Sequence, residues 1–226
     1  MVSKSLVLFD IDGTLMRRAG PHHRQALVDA VRDVTGMETS LDHIPLHGML
    51  DPDILSRMMH DAGASPALVC EAMSAVVERA QYLYDLSCPD LQEKLCPGVC
   101  QLLSELRKRK VPLALVTGNL TRIGWKKMER AGLKPFFLYG AFGEMAADRA
   151  GLARMAIQRA RSEGWIGEEA RISLVGDSPN DVIAARANNI QAIAVRTGVS
   201  EVEDLVAESP DLLLEDLREL RFEMLL

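Results

Sequence analysis

The chain lacks several things that would decide its class at once. No apolar stretch is long enough to cross a bilayer. The opening residues, Met1 to Ser5, run straight into a strand-like segment and lack the layout of a secretory signal. The four cysteines, Cys70, Cys88, Cys96 and Cys100, form no Cys-x-x-Cys pair, and His22, His23, His43, His47 and His60 show no metal-ligand spacing. This argues against a zinc site and points to reduced thiols in a cytoplasmic protein. A surplus of basic residues is also missing: the formal net charge is −6 over 226 residues, which argues against a nucleic-acid partner. There is no internal repeat, no low-complexity tract, and no lysine between Lys4 and Lys94. What is present is an ordinary globular balance, 48% hydrophobic and 26% charged, in a length that suits one large domain or a core carrying an insertion.

The hydrophobic period changes along the chain in blocks. Residues 5–10 read as a short strand. From about 22 to 87 every apolar set has helical spacing: Ala26, Leu27, Ala30, Val31 and Val34; then Ile54, Leu55, Met58, Met59 and Ala62; then Leu68 through Tyr84, opened by Ser65-Pro66 as N-cap and first-turn proline. After Pro97-Gly98 the pattern alternates. Helices are expected over 98–109, 120–131, 150–163, 179–188 and 201–207, and strands over 111–116, 136–142, 171–175, 190–195 and 211–214. Asn188-Asn189 stands where a helix end favours left-handed backbone angles. Strands alternating with helices imply a parallel sheet covered on both faces, a Rossmann-like three-layer α/β core. Residues 17–92 then form an all-helical cap domain inserted after the first strand, with 1–16 and 93–226 making up the catalytic core and Gly20-Pro21 and Cys88-Pro89 as hinges.

Two acidic strings dominate the core. Asp10-Ile11-Asp12-Gly13-Thr14 follows the apolar run Leu6 to Phe9, and Gly176-Asp177-Ser178-Pro179-Asn180-Asp181 follows Ile172 to Val175. Both lie at the carboxyl ends of expected strands, where open α/β sheets bind ligands, and so does Thr117-Gly118-Asn119. Carboxylates crowded at strand ends are costly without a cation or a proton, which suggests Mg2+ and phosphate chemistry. Asp10 suits a nucleophile that forms an aspartyl-phosphate. Asp12, two residues on and so on the same side of an extended chain, suits acid–base work on the leaving oxygen and the attacking water. Asp10, Asp177 and a backbone carbonyl near Asp12 would suffice for Mg2+, with Asp181 one helical turn further holding a bound water or only capping its helix. The Thr117 hydroxyl and the Gly118 N–H are placed to donate to a phosphoryl oxygen.

These strings, in this order, resemble the haloacid dehalogenase-like superfamily, and more narrowly its phosphoglycolate phosphatase-like group with a helical cap after the first motif. Asp10, Asp12, Thr117, Asp177 and Asp181 match the family's motif positions. The resemblance implies a magnesium-dependent hydrolase of a small phosphorylated metabolite, monomeric or homodimeric, acting through an aspartyl-phosphate. It also implies phosphate contacts from Ile11, Gly118 and Asn119. The family's usual cation before the last acidic motif is a lysine; here Arg149 holds that place, its guanidinium suited to bridging carboxylate and phosphate, with Lys134 as the fallback. In the cap, His47-Gly48-Met49-Leu50-Asp51 resembles a substrate-specificity loop, with Gly48 and Asp51 as its marks, although Asp51 reads equally well as a helix cap. Arg17 and Arg18 are candidates to touch a substrate anion, or a solvated flap. Other reactions of the same fold remain as alternatives: a sugar-phosphate mutase shares every core residue, whereas a dehalogenase does not need Asp12. A phosphonatase needs a cap lysine, and the cap has none. A non-catalytic scaffold is disfavoured by the intact acidic set.

Overall fold

The computed structural model describes residues 2–17 and 20–225; Arg18 lies outside them. Six parallel strands form one sheet: β1 (Ser3–Phe9), β2 (Leu113–Val116), β3 (Tyr139–Ala141), β4 (Ile166–Gly176), β5 (Gln191–Val195) and β6 (Leu212–Leu214). Their order is β3-β2-β1-β4-β5-β6, so β1 is central and the order reverses beside it. A ligand crevice is expected at that reversal. Strand alternation divides the core into two layers. Val7 and Phe9 of β1 face α4 (Val99–Lys108), α5 (Thr121–Arg130) and the C-terminal segment, packing with Leu103, Leu106, Met128 and Leu217. Leu6 and Leu8 face the other side, with Leu152, Ala156, Val182 and Ala185 of α6 (Arg149–Ser162) and α7 (Pro179–Ala187); α8 (Val202–Ala207) closes that layer. This is the expected Rossmann-like three-layer architecture. At the turn after α7, Asn189 does take a left-handed angle, φ 53°.

Two strand expectations are corrected. Residues 136–142 are not one strand. A 3-10 turn at Lys134–Phe136 precedes the three-residue β3, and another, Gly143–Met145, follows it. Pro135 offers no N–H to a ladder, and β3 lies at the sheet edge with Leu138 exposed before it. The fourth strand begins at Ile166 rather than 171, because its polar first half extends past the apolar core and pairs with Ser3 across an irregularity in register.

Residues 22–87 contain three helices, α1 (His22–Thr35), α2 (Asp51–Asp61) and α3 (Pro66–Ser87). Ser65 caps α3 by accepting from Leu68 N–H at 3.2 Å. The apolar stripes of the three helices build a third hydrophobic cluster, with Leu27, Val31, Leu55, Met58, Val76 and Tyr84 inside it. Leu120 and Ile123, from the start of α5, complete this cluster, so α5 is the surface on which these helices rest. The chain leaves and re-enters the sheet through a paired neck: Met16 bridges Leu95 antiparallel, Arg17 N–H donates to the Lys94 carbonyl at 2.7 Å, and Cys96 N–H to that of Leu15 at 3.1 Å.

Candidate active site

A cavity of about 600 Å³ lies between α1, the 41–51 loop and the carboxyl ends of β1, β2 and β4. Asp10 follows β1, Thr117 follows β2 and Asp177 follows β4; Asp181 reaches the same place from the first turn of α7. One oxygen each from Asp10, Asp177 and Asp181 lies within 4.8 Å of the others, all three residues buried. The turn that brings Asp177 so close depends on Gly13, whose φ is +85° and where an added Cβ would stand 2.2 Å from Asp177 Oδ2. Thr14 Oγ1 donates to Asp177 Oδ1 at 3.3 Å.

Arg149 is the counter-ion of this cluster. It opens α6 and is buried, with Nη1 2.6 Å from Asp181 Oδ1 and 3.1 Å from Asp10 Oδ1. Lys134 sits exposed in the turn before β3 and does not line the cavity. Between these two candidates, geometry selects Arg149. One guanidinium does not balance three carboxylates in a dry setting. Burial, partly offset by Arg149 and reinforced by Asp181 and Asp12, pushes Asp10 up to about 6. Burial, then Asp10 and Asp181, also holds Asp177 well above the usual carboxylate range. Asp10 Oδ1 is buried without a hydrogen-bond partner. Three buried carboxylates that share one guanidinium form an all-oxygen donor set, which fits a hard divalent cation.

Asp12 behaves differently from its neighbours. Its carboxylate stays out of the acidic cluster. Oδ2 accepts from Lys127 Nζ at 2.6 Å and from Asn119 Nδ2 at 2.8 Å. Burial works to raise it, but the charge of Lys127 and these hydrogen bonds outweigh burial and hold Asp12 below the ordinary value. Asn119 also donates to Thr117 Oγ1 at 2.7 Å, which leaves the threonine its own hydrogen to donate. Ile11 contributes through its backbone: its side chain is in the core while its N–H bonds the Asp10 carboxyl. Gly118 lines the cavity, and its carbonyl accepts from Asp51 N–H at 2.8 Å.

Of the remaining candidates, Asp181 belongs to the cluster, Gly48 and Asp51 line the cavity, and Arg17 does not. Asp181 both caps and pairs: Oδ2 accepts from Ser178 N–H at 3.1 Å in a capping box, and Oδ1 holds Arg149. Asp51 does not cap α2, whose N-cap is Leu50; its Oδ2 accepts from Leu120 N–H at 2.8 Å, ahead of α5. Gly48, at φ +71°, lays its carbonyl against Asn180 Nδ2 at 2.8 Å. Arg17 is exposed and not part of the cavity wall, because its backbone is committed to the neck. Lys127 was not foreseen. It lies on the buried face of α5 with Ile123, Gly124 and Met128, and a lysine on an apolar stripe was the signal. His23 and His47 also reach the wall, His47 with Nε2 at 2.5 Å from Ser200 Oγ. The cap-lysine argument holds for the cap, yet a core lysine enters the cavity instead.

A parallel sheet with three carboxylates, a threonine and a buried cation at one crevice defines a hydrolase-type α/β site. The family model of haloacid dehalogenase-like hydrolases matches residues 4–189, and the chain belongs to that family. It is 29% identical over 215 residues to a phosphoglycolate phosphatase of Synechococcus elongatus, covering 92% of each chain. It is also 29% identical over 210 residues to one of Caulobacter vibrioides, covering 89% of this chain and 84% of that one. Among solved structures, CbbY from Rhodobacter sphaeroides in complex with phosphate shares the fold, with a TM-score of 0.70 at 22% identity over 96% of both chains. No helix among the described residues is long and apolar enough to cross a membrane.

Proposed function

We propose that this chain is a magnesium-dependent phosphatase that hydrolyses a small phosphomonoester through an aspartyl-phosphate on Asp10. The observation that carries the reading is the convergence of the buried Asp10, Asp177 and Asp181 carboxylates on one point, beside a threonine and an arginine. The curated relatives named phosphoglycolate phosphatase support the reaction class. Residues 17–92 act as a cap over the strand ends, and the chain works in the cytoplasm. Asp10 and Asp177, with Asp181 beside them, would hold Mg2+, which supplies charge neutralisation between the carboxylate nucleophile and the phosphoryl dianion. Asp10 attacks phosphorus, the ester P–O bond breaks, and its electron pair leaves on the alcohol oxygen as Asp12, having taken the proton that the phosphomonoester monoanion brings, delivers it there. Water then attacks phosphorus, Asp12 takes its proton, and the bond to Asp10 breaks to release phosphate. Thr117 Oγ1–H, the Gly118 N–H and Arg149 stabilise the charge on the transferring group.

The cavity exceeds what a phosphate alone fills, and its outer wall carries Leu27, Leu41, Ile44 and Leu46. Phosphoglycolate is the first substrate to assay, followed by a panel of larger metabolite phosphates. Purified protein should release phosphate with Mg2+ and stop when the metal is chelated. Asp10→Asn should fold normally and retain no turnover. Turnover by this variant near the parent rate would remove Asp10 as nucleophile, and isomer formation exceeding phosphate release would move the reading to a mutase.

A further inference from the structure

The Lys127 side chain is 1% exposed, and an ammonium so deeply placed is costly unless each of its donors is satisfied. All three are. Nζ donates to Asp12 Oδ2 at 2.6 Å and to Asn119 Oδ1 at 2.6 Å, and it lies 3.2 Å from His23 Nδ1. An ammonium carries three N–H groups and no acceptor. No donor is left over for a substrate oxygen, and no lone pair is available for attack on a carbonyl. Lys127 is therefore neither a phosphate ligand nor an amine nucleophile in this arrangement.

The same bonds fix the direction of everything around them. His23 Nδ1 must be the acceptor, so Nε2 carries the hydrogen and donates to Asp51 Oδ2 at 3.0 Å. The Asn119 amide is held with Oδ1 toward Lys127 and Nδ2 toward Asp12 and Thr117. Asp12 Oδ2 is thus bound by two N–H donors, while the Asp12 side chain stays about one-third exposed, at 34%, on the cavity wall. The oxygen left for a leaving group is Oδ1. Two of the three groups around Nζ belong to the core. The third, His23, comes from the first turn of α1, where it packs edge-on against Tyr84 of α3 with ring centroids 5.6 Å apart.

We infer that Lys127 is the positioning residue for Asp12: bonded to Asn119 after β2 and to His23 of α1, it holds Asp12 by Oδ2 and leaves Oδ1 for the leaving group. The inference rests on the acid–base reading of Asp12 given above. It adds a buried cation, shared with α1 through His23, to the groups that set the geometry of proton delivery.

The discriminating measurement is the dependence of kcat on leaving-group acidity, with Mg2+ present, over a graded series of aryl phosphates from nitrophenyl to phenyl. A good leaving group departs without a proton; a poor one needs it. Lys127→Met should lose about 10²-fold in kcat on phenyl phosphate but less than about tenfold on nitrophenyl phosphate, with KM within about threefold. Asp12→Ala, the reference, should steepen the dependence in the same sense. His23→Leu should show a smaller version of the Lys127→Met pattern, and His23→Gln, whose amide both accepts and donates, should recover most of it. A uniform loss across the series for Lys127→Met, or a change confined to KM, overturns the inference. If Lys127→Met does not fold, the His23 pair decides: equal slopes for His23→Leu and the parent protein overturn it. A flat response of Asp12→Ala would instead overturn the acid–base reading of Asp12, so the two failures are distinguishable.

Discussion

Three cations were available to serve the acidic cluster, and burial separates them. Arg149 is inside it, Lys127 is tied to Asp12, and Lys134 is exposed outside the cavity. Removing Arg149 leaves Asp181 Oδ1 and Asp10 Oδ1 without a counter-charge, and breaking such a buried pair costs about 3–5 kcal/mol. Arg149→Ala should therefore lower the urea midpoint and, where it still folds, cut turnover by about 10²-fold or more. Lys134→Ala should change stability by less than about 0.5 kcal/mol and leave turnover alone. The reverse ranking would return the phosphoryl-stabilising role to Lys134. The acidic residues were legible in the sequence because Asp10 and Asp177 each end an apolar run, and a strand end in a parallel sheet has one destination. Lys127 was not, because a lysine on a helix is ordinarily a solvated residue. Only its coincidence with the stripe of Ile123 and Met128 marks it, and the partners that justify its burial come from residues 12, 23 and 119.

At the scale of elements, α5 explains how the inserted helices are held. An α-helix leaves its first N–H groups without intrahelical partners. The N-cap of α5 is Leu120, which has no side-chain acceptor to offer. The three successive donors are met from a distance: Leu120 N–H by Asp51 of α2, Thr121 N–H by Glu144 of the turn after β3, and Arg122 N–H by Gln81 of α3 at 2.8 Å. Two of these three acceptors belong to the inserted helices α2 and α3, so those helices also cap the N-terminus of α5. Gln81 is buried and takes no part in the Lys127 network, which makes it a clean probe. Gln81→Leu should cost about 1–2 kcal/mol in chemical denaturation, and Gln81→Glu, which keeps the acceptor, should cost clearly less. Equal losses for the two would mean that side-chain shape, not the bond to Arg122, is what matters. The helices themselves were readable from their spacing, and α3 from Ser65-Pro66. The caps of α5 were not, since nothing local supplies them. The bounds of β3 were not readable either: a strand was expected over 136–142, but only Tyr139–Ala141 pair with β2.

At the scale of the whole molecule, the folded chain concentrates carboxylates that its unfolded form would keep apart in water. A group whose folded pKa lies above its unfolded value contributes stability that is complete below the unfolded value and disappears as pH rises through the folded one. Asp10 goes from 3.8 to about 6, chiefly by burial, and Asp177 moves in the same direction. Asp12 moves oppositely, so its contribution is lost only in acid, below the ordinary carboxylate range. Metal-free protein should therefore become less stable between about pH 4 and pH 7, by a few kcal/mol at about 1.4 kcal/mol for each tenfold change in proton affinity. A divalent cation bound by the ionised cluster stabilises only the folded state, by about 2.7 kcal/mol at a hundred times its Kd. It competes with protons for these carboxylates, so its benefit should grow with pH. Thermal melts in chelator and in Mg2+ at about pH 5 and about pH 7.5 test this. The expected result is a fall in Tm with pH in chelator, a smaller fall in Mg2+, and for Asp10→Asn in chelator a reduced fall that Asp177, still raised by burial, sustains. A Tm gain from Mg2+ that is the same at both pH values would show that the ion binds away from Asp10 and Asp177, and a site built on their shared charge would have to be abandoned.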